Sequence, residues 1–178
     1  MSAERNKATL VDLFENLGPG LDVWEAAYER SLTPDCTWWM QGWPLVVGIE
    51  ELNAQVGMLN AMMGVYANPI LEWRNIDILD DGNTIYFERK GSFADEQGAT
   101  ITDWDIMGVF QFDSNGKICR IRDYFDNAGP YEKLAGLFPP EQISALNAGG
   151  RASHPLVENG AADDHFFRNM LEQLEAMA

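Results

Sequence analysis

The chain has 178 residues and is 46% hydrophobic, enough for one domain, or one domain with an extension, and a sizeable core. Its 12 basic against 28 acidic residues give a net charge of −16, which leaves no basic footprint for nucleic acid and disfavours an anionic membrane surface. Cys36 and Cys119 are too few and too distant for a disulfide framework or a CxxC metal site, no apolar run approaches the roughly 18 residues of a membrane span, and MSAERNKATLVDLFENL lacks a signal-peptide layout, so a cytoplasmic protein with reduced cysteines is expected.

Leu10, Leu13, Phe14 and Leu17 fall at helical spacing, which predicts a helix over 5–17 stopped by Gly18-Pro19-Gly20. A second helix is predicted over 21–31, with Trp24, Ala27 and Tyr28 on one face, followed by a turn at Thr33-Pro34-Asp35. CTWWM reads as a short strand, and residues 42–47 as a loop holding Trp43 and Pro44. From Gly48, the spacing of Leu52, Val56, Leu59 and Met63 predicts a third helix, with Met58 and Met62 beside that stripe.

Four long antiparallel strands are then predicted: LEWRNIDILDD, TIYFERKGSFAD, ATITDWDIMGVFQFD and KICRIRDYFD. Turns at Asp80–Asn83 and Asp95–Gly98 and the hairpin signal DSNGK, 113–117, separate them. Three helices followed by such strands make an α+β layout. Residues 130–178 hold prolines, glycines and short helical pieces, and read as a segment lying over the body. Its end, DDHFFRNMLEQLEAMA, predicts an amphipathic helix capped by Asp163 or Asp164. Phe166, Phe167, Met170, Leu174 and Met177 form its stripe, for docking on its own domain or a partner, or as a lid.

Strand parity sorts the side chains by face. Ile121, Asp123 and Phe125 share the apolar face, as do Thr102, Trp104, Ile106, Gly108 and Phe110, and Phe87, Arg89, Gly91 and Phe93. That face therefore carries one cation, Arg89, and one anion, Asp123, which are costly there unless paired. The pair reads either as a buried salt bridge that fixes register or as a carboxylate base held by a guanidinium in a dry pocket. Asp103 and Asp105 fall on the opposite face, for a polar exterior or a subunit contact. Trp38, Trp39 and Trp43 lie within six residues, and Trp24, Tyr28, Phe87 and Trp104 are candidates for the same cavity. With Met58 and Met62 beside them they would suit a large, flat, apolar ligand, though such rings are also ordinary core. His154 and His165 do not make a metal site, and there is no nucleophile elbow, phosphate loop or dinucleotide fingerprint. No cofactor is expected.

The order of three helices, a short WW strand and long strands ending in IMGVFQFDSNGKICRIRDYFD resembles the nuclear transport factor 2-like superfamily, and within it SnoaL-like proteins and limonene epoxide hydrolase, over about residues 8–135. The resemblance implies a curved antiparallel sheet with three N-terminal helices around a cone-shaped pocket, over residues 1–135, with 136–178 as a C-terminal helical extension. It also implies a homo-oligomer, a dimer or trimer. In limonene epoxide hydrolase an Asp–Arg–Asp set works with a Tyr and an Asn that position water. The RDYFD aspartate matches Asp123 and the arginine matches Arg89. The second aspartate position falls on Gly91, the tyrosine on Trp38 and the asparagine on Met40. Epoxide opening needs an acid as well as a base, so a hydrolase would require Asp103 or Asp105 as substitute acid, with parity off by one.

The superfamily also resembles a repertoire of cofactor-free isomerases, dehydratases and lyases, some acting on lignin-derived diaryl compounds. On that likeness the expected activity is a lyase on a bulky hydroxylated aromatic molecule. Asp123 would be the base, and Arg89 would hold it or stabilise charge on oxygen. Trp38, Trp43, Trp104, Tyr28, Met40, Met58, Met62, Phe87 and Phe125 would line the substrate site, the Trp rings stacking on aryl groups and a Trp N–H or Tyr28 assisting a leaving hydroxyl. A non-catalytic module carrying an apolar ligand is the remaining alternative.

Overall fold

The computed structural model describes residues 3–17, 21–63, 66–68, 75–78, 82–94, 99–126, 144 and 166–177. Helical spacing buries Leu10, Leu13 and Phe14 on one face of α1 (Ala3–Glu15). It does the same for Trp24, Ala27 and Tyr28 on α2 (Leu21–Ser31), and for Leu52, Val56 and Met58 on α3 (Ile49–Met63). These faces form one core with Trp38, Ile85, Phe87, Phe110, Ile118 and Ile121 of the sheet. None of the described helices is long and apolar enough to cross a membrane.

The strands are β1 (Leu32–Met40), β2 (Val46–Val47), β3 (Tyr66–Asn68), β4 (Asn75–Ile78), β5 (Thr84–Ala94), β6 (Thr100–Phe112) and β7 (Ile118–Phe125). They form one curved sheet in the order β2-β1-β7-β6-β5-β3, with β4 also paired to β5. The expected α+β architecture is present, and β4 to β7 are antiparallel as expected. The first of these strands is described only over Asn75–Ile78, and the turn segments 80–81 and 95–98 lie outside the described residues.

Three expectations are corrected. β1 runs parallel to β7, so the sheet is mixed; helix α3 and five strands separate the two in sequence, and no hairpin forces them antiparallel. The turn at Thr33-Pro34-Asp35 is instead strand, with a register shift between Leu32 and Thr37. Pro34, which has no N–H for a ladder, is tolerated at that irregularity with its side chain exposed. Within the expected 42–47 loop, Val46 and Val47 pair with Trp38 and Thr37 as β2, too short a strand to announce itself.

The DSNGK turn forms as predicted. Asp113 Oδ1 accepts the backbone N–H groups of Asn115 (2.8 Å) and Lys117 (2.9 Å), and Gly116 takes the left-handed φ of 79° that the turn needs. Helix α1 clasps this end of the sheet: Asn6 Nδ2 donates to the Gly82 carbonyl (2.6 Å) and Arg5 Nη2 to that of Ser114 (3.2 Å).

The C-terminal helix α4 (Phe166–Met177) docks on its own domain, against α3. The buried Glu51 carboxylate accepts the N–H groups of Phe167 and Arg168, capping the first turn of α4 from outside. Phe167 is fully buried and stacks on Trp43, with ring centroids 6.4 Å apart. Leu171 packs over Gly57, where an added Cβ would lie 3.2 Å from it. Of the predicted α4 stripe, the side chains of Phe166, Met170, Leu174 and Met177 lie outside the described set, as do Asp163, Asp164 and the boundary near 135.

Candidate active site

The parity rule places Arg89 on β5 and Asp123 on β7 on the interior face, with β6 between them. Asp123 lies directly across from Gly108, and Phe87 across from Gly108 on the other side. Arg89, across from Ile106, therefore reaches Asp123 diagonally over the bare backbone of Gly108. A Cβ there would sit 2.6 Å from Arg89 Nη1, 2.9 Å from Asp123 Oδ1 and 2.5 Å from the Phe110 ring. No side chain larger than hydrogen fits while the pair exists.

The pair is bidentate. Arg89 Nη1 donates to Asp123 Oδ1 at 3.0 Å, and Nη2 donates to Oδ2 at 2.6 Å. Trp38 Nε1 on the neighbouring parallel strand donates a third hydrogen bond, to Oδ2, at 2.8 Å. Asp123 is 1% exposed and Arg89 4%. Three rings wrap the guanidinium: its carbon lies 4.8 Å from the Phe14 centroid, 5.6 Å from Phe110 and 5.9 Å from Phe87. Arg89 thus holds Asp123, and both charges are buried.

The expected site residues divide. Tyr28 packs edge-on against Trp38, 6.3 Å between centroids, and burial, helped by nearby Cys36, pushes its phenol well above its usual range. Phe87 lies under Arg89. Met40 is the register partner of Asp123 on β1, while Trp104 and Phe125 lie together 6.0 Å apart toward the same end of the sheet. Met40, Trp104 and Phe125 are only partly buried and pack against the core beside the pair.

Other expected contacts are not made. Trp43 is occupied by Phe167, and Met58 is a fully buried core residue. The Met62 side chain lies outside the described set. Trp38 turns its N–H onto Asp123 and does not offer it to a leaving group. Trp39 faces outward against Tyr124, 5.3 Å away.

Asp103 and Asp105 are exposed on the outer face, Asp103 3.7 Å from Lys90, so neither replaces the missing acid. At the position where the resemblance places that acid, a Cβ on Gly91 would meet Ile106 at 2.7 Å and the Trp104 indole at 3.3 Å. The space is filled. Phe14, Phe110 and Gly108 were not singled out as site residues. Phe110 and Gly108 share the parity of the interior face, whereas nothing local in α1 marks Phe14. No group of three or more described His, Cys, Asp or Glu side chains is placed to hold a metal.

No protein-family model matches the chain, and no curated protein matches it. Solved structures do. A candidate SnoaL-like polyketide cyclase from Jannaschia sp. CCS1 is 19% identical with a TM-score of 0.54, the match covering 77% of this chain and 94% of that one. An LEH-like epoxide hydrolase from M. tuberculosis is 21% identical with a TM-score of 0.54, covering 75% and 85%. A nuclear transport factor 2-like protein from Burkholderia xenovorans LB400 is 19% identical with a TM-score of 0.54, covering 78% and 99%. The chain has the fold of the nuclear transport factor 2-like, SnoaL-like proteins.

Proposed function

We propose that the protein is a cytoplasmic, cofactor-independent lyase acting on a bulky, neutral, hydroxylated aromatic molecule. The observation that carries this is the Asp123 carboxylate, buried on an apolar face, oriented by three donors and flanked by the part-exposed Met40, Trp104 and Phe125. That fold neighbours include a cyclase candidate and an epoxide hydrolase supports small-molecule chemistry in this scaffold. Hydrolysis is disfavoured because the acid position is Gly91 and its space is filled.

For a diaryl 1,3-diol the step balances on a single base. Asp123 takes the proton of the primary hydroxyl, and that oxygen forms the C=O of formaldehyde as the adjacent C–C bond breaks. The electron pair becomes the alkene and expels the benzylic hydroxide, which recovers a proton from Asp123 and leaves as water.

The test is mass spectrometry of the products after incubation with diaryl 1,3-diols and aryl epoxides, wild type beside Asp123→Asn. Alkene plus formaldehyde, reduced at least about 100-fold in the variant, is the expected outcome. Diol from the epoxide would favour a hydrolase. The near-complete burial of Asp123 also favours a second reading, an apolar-ligand module in which the pair only fixes strand register. Ligand retained without turnover of either class would select it.

We place the protein's self-association, as a dimer or trimer, on the outer sheet face. Tyr86, Met107 and Tyr124 are exposed there, with Met107 directly across from Tyr124.

A further inference from the structure

The outer face of the sheet carries two cations that no described residue neutralises. Alternation along β7 puts Arg120, Arg122 and Tyr124 on that face, and Asp126 continues the pattern one residue past the strand. Arg120 is exposed and Arg122 half-buried, and neither has an ion-pair partner among the described residues. Arg122 Nε is buried with no hydrogen-bond partner among them. In a chain of net charge −16, two such arginines on one face stand out.

The acids of this face lie at its other end. On β6, Val109 is across from Arg122 and Met107 across from Tyr124, so Asp105 and then Asp103 fall beyond Tyr124, on the side of Asp126. All three carboxylates are exposed; Lys90, across from Asp105, reaches Asp103. Side chains on one face of a strand repeat about every 6.7 Å. Arg122 therefore lies about 13 Å from Asp126 along the chain direction and Arg120 about 20 Å, too far for an ion pair within one copy. Between the two ends stand the exposed Tyr86, Met107 and Tyr124. The face is a strip, basic near the DSNGK turn, apolar in the middle and acidic at the far end.

We propose that this strip binds a second copy of the chain turned end over end, about a two-fold axis that lies between the two faces and runs perpendicular to the strands at the level of Met107 and Tyr124. The proposal rests on the self-association placed on this face, and fixes its symmetry and orientation. Under that rotation Arg120 and Arg122 of one copy lie over Asp105 and Asp126 of the other, and the reciprocal pairs form at the opposite end. Met107 and Tyr124 meet their own counterparts, an apolar centre inside a charged rim. An axis along the strands would instead lay arginines on the arginine end and carboxylates on the carboxylate end. A three-fold ring joins two different patches and leaves the complementarity within one strip unused. The complex that fits is a dimer.

The experiment measures the mass of the full chain by sedimentation equilibrium after reversing each end. Arg120→Glu/Arg122→Glu makes both ends acidic, and Asp105→Lys/Asp126→Lys makes both basic. Each variant alone should dissociate at least about 100-fold more readily than wild type. An equimolar mixture should regain a dimer within about tenfold of wild-type affinity, because every facing pair is again of opposite sign, and native mass spectrometry should find one copy of each variant in it. A mixture that stays monomeric, or single variants that dimerise as wild type does, overturns the orientation. If either variant fails to fold, wild type alone decides: its dissociation constant should rise at least about tenfold between about 0.05 M and about 0.5 M sodium chloride, and an unchanged constant overturns the charge-matched orientation. A wild-type trimer overturns the two-fold. A wild-type chain still monomeric at about 0.1 mM removes self-association itself, whereas a salt-insensitive dimer removes only the orientation. Turnover enters none of these readouts, so the lyase reading stands or falls separately.

Discussion

Arg89 and Asp123 were legible as a pair because β5, β6 and β7 alternate cleanly, so that a charged residue in an apolar register stands out. The third partner was not. Trp38 meets Asp123 through a parallel pairing between segments 85 residues apart, and a local pattern carries no trace of that distance. Arg89→Met tests the pair at this scale. It leaves a buried carboxylate held by Trp38 alone, and a loss of about 3–5 kcal/mol is expected in urea unfolding. Adding Asp123→Leu should recover most of the loss while abolishing turnover. A double variant as unstable as the single one would show that the charges are not the source of the cost. The missing acid is equally a residue-scale fact: Gly91 could be read from the sequence, but that Trp104 and Ile106 fill its space could not.

Helices α1 to α3 and the β6–β7 hairpin were legible from periodicity and turn chemistry; the strand character of Thr33–Asp35 was not, because Pro34 ordinarily signals a turn. The DSNGK turn carries its own pH signature. Burial would raise the Asp113 carboxyl, but hydrogen bonds from Lys117, Asn115 and Gly116 outweigh it and hold the group below its usual value. A depressed folded value means that the ionised form stabilises the turn above the unfolded value of about 3.9, and that this contribution fades as the pH falls below that value through the folded one. Asp113→Asn keeps one acceptor oxygen and cannot titrate. Wild type should melt above the variant near about pH 6, with the gap closing near about pH 3. A gap that does not change with pH would assign the turn's stability to geometry alone.

Across the whole molecule, the sequence marked an amphipathic C-terminal helix but not where it docks. Its receiver is Glu51, an acidic residue in the first turn of α3, and its anchor is Phe167 on Trp43. Phe167→Ala should cost about 3 kcal/mol in urea unfolding and shift tryptophan emission to longer wavelength as Trp43 meets water. No change in either would mean that α4 contributes little to the fold. The docking also fixes an order of events during synthesis. Residues 166–177 leave the ribosome after everything they pack against, so Glu51, 116 residues upstream of Phe167, has emerged and folded into α3 before its partner exists. Until α4 arrives, the nascent chain presents a carboxylate and an uncovered indole at the same spot, a surface suited to holding by chaperones during that interval.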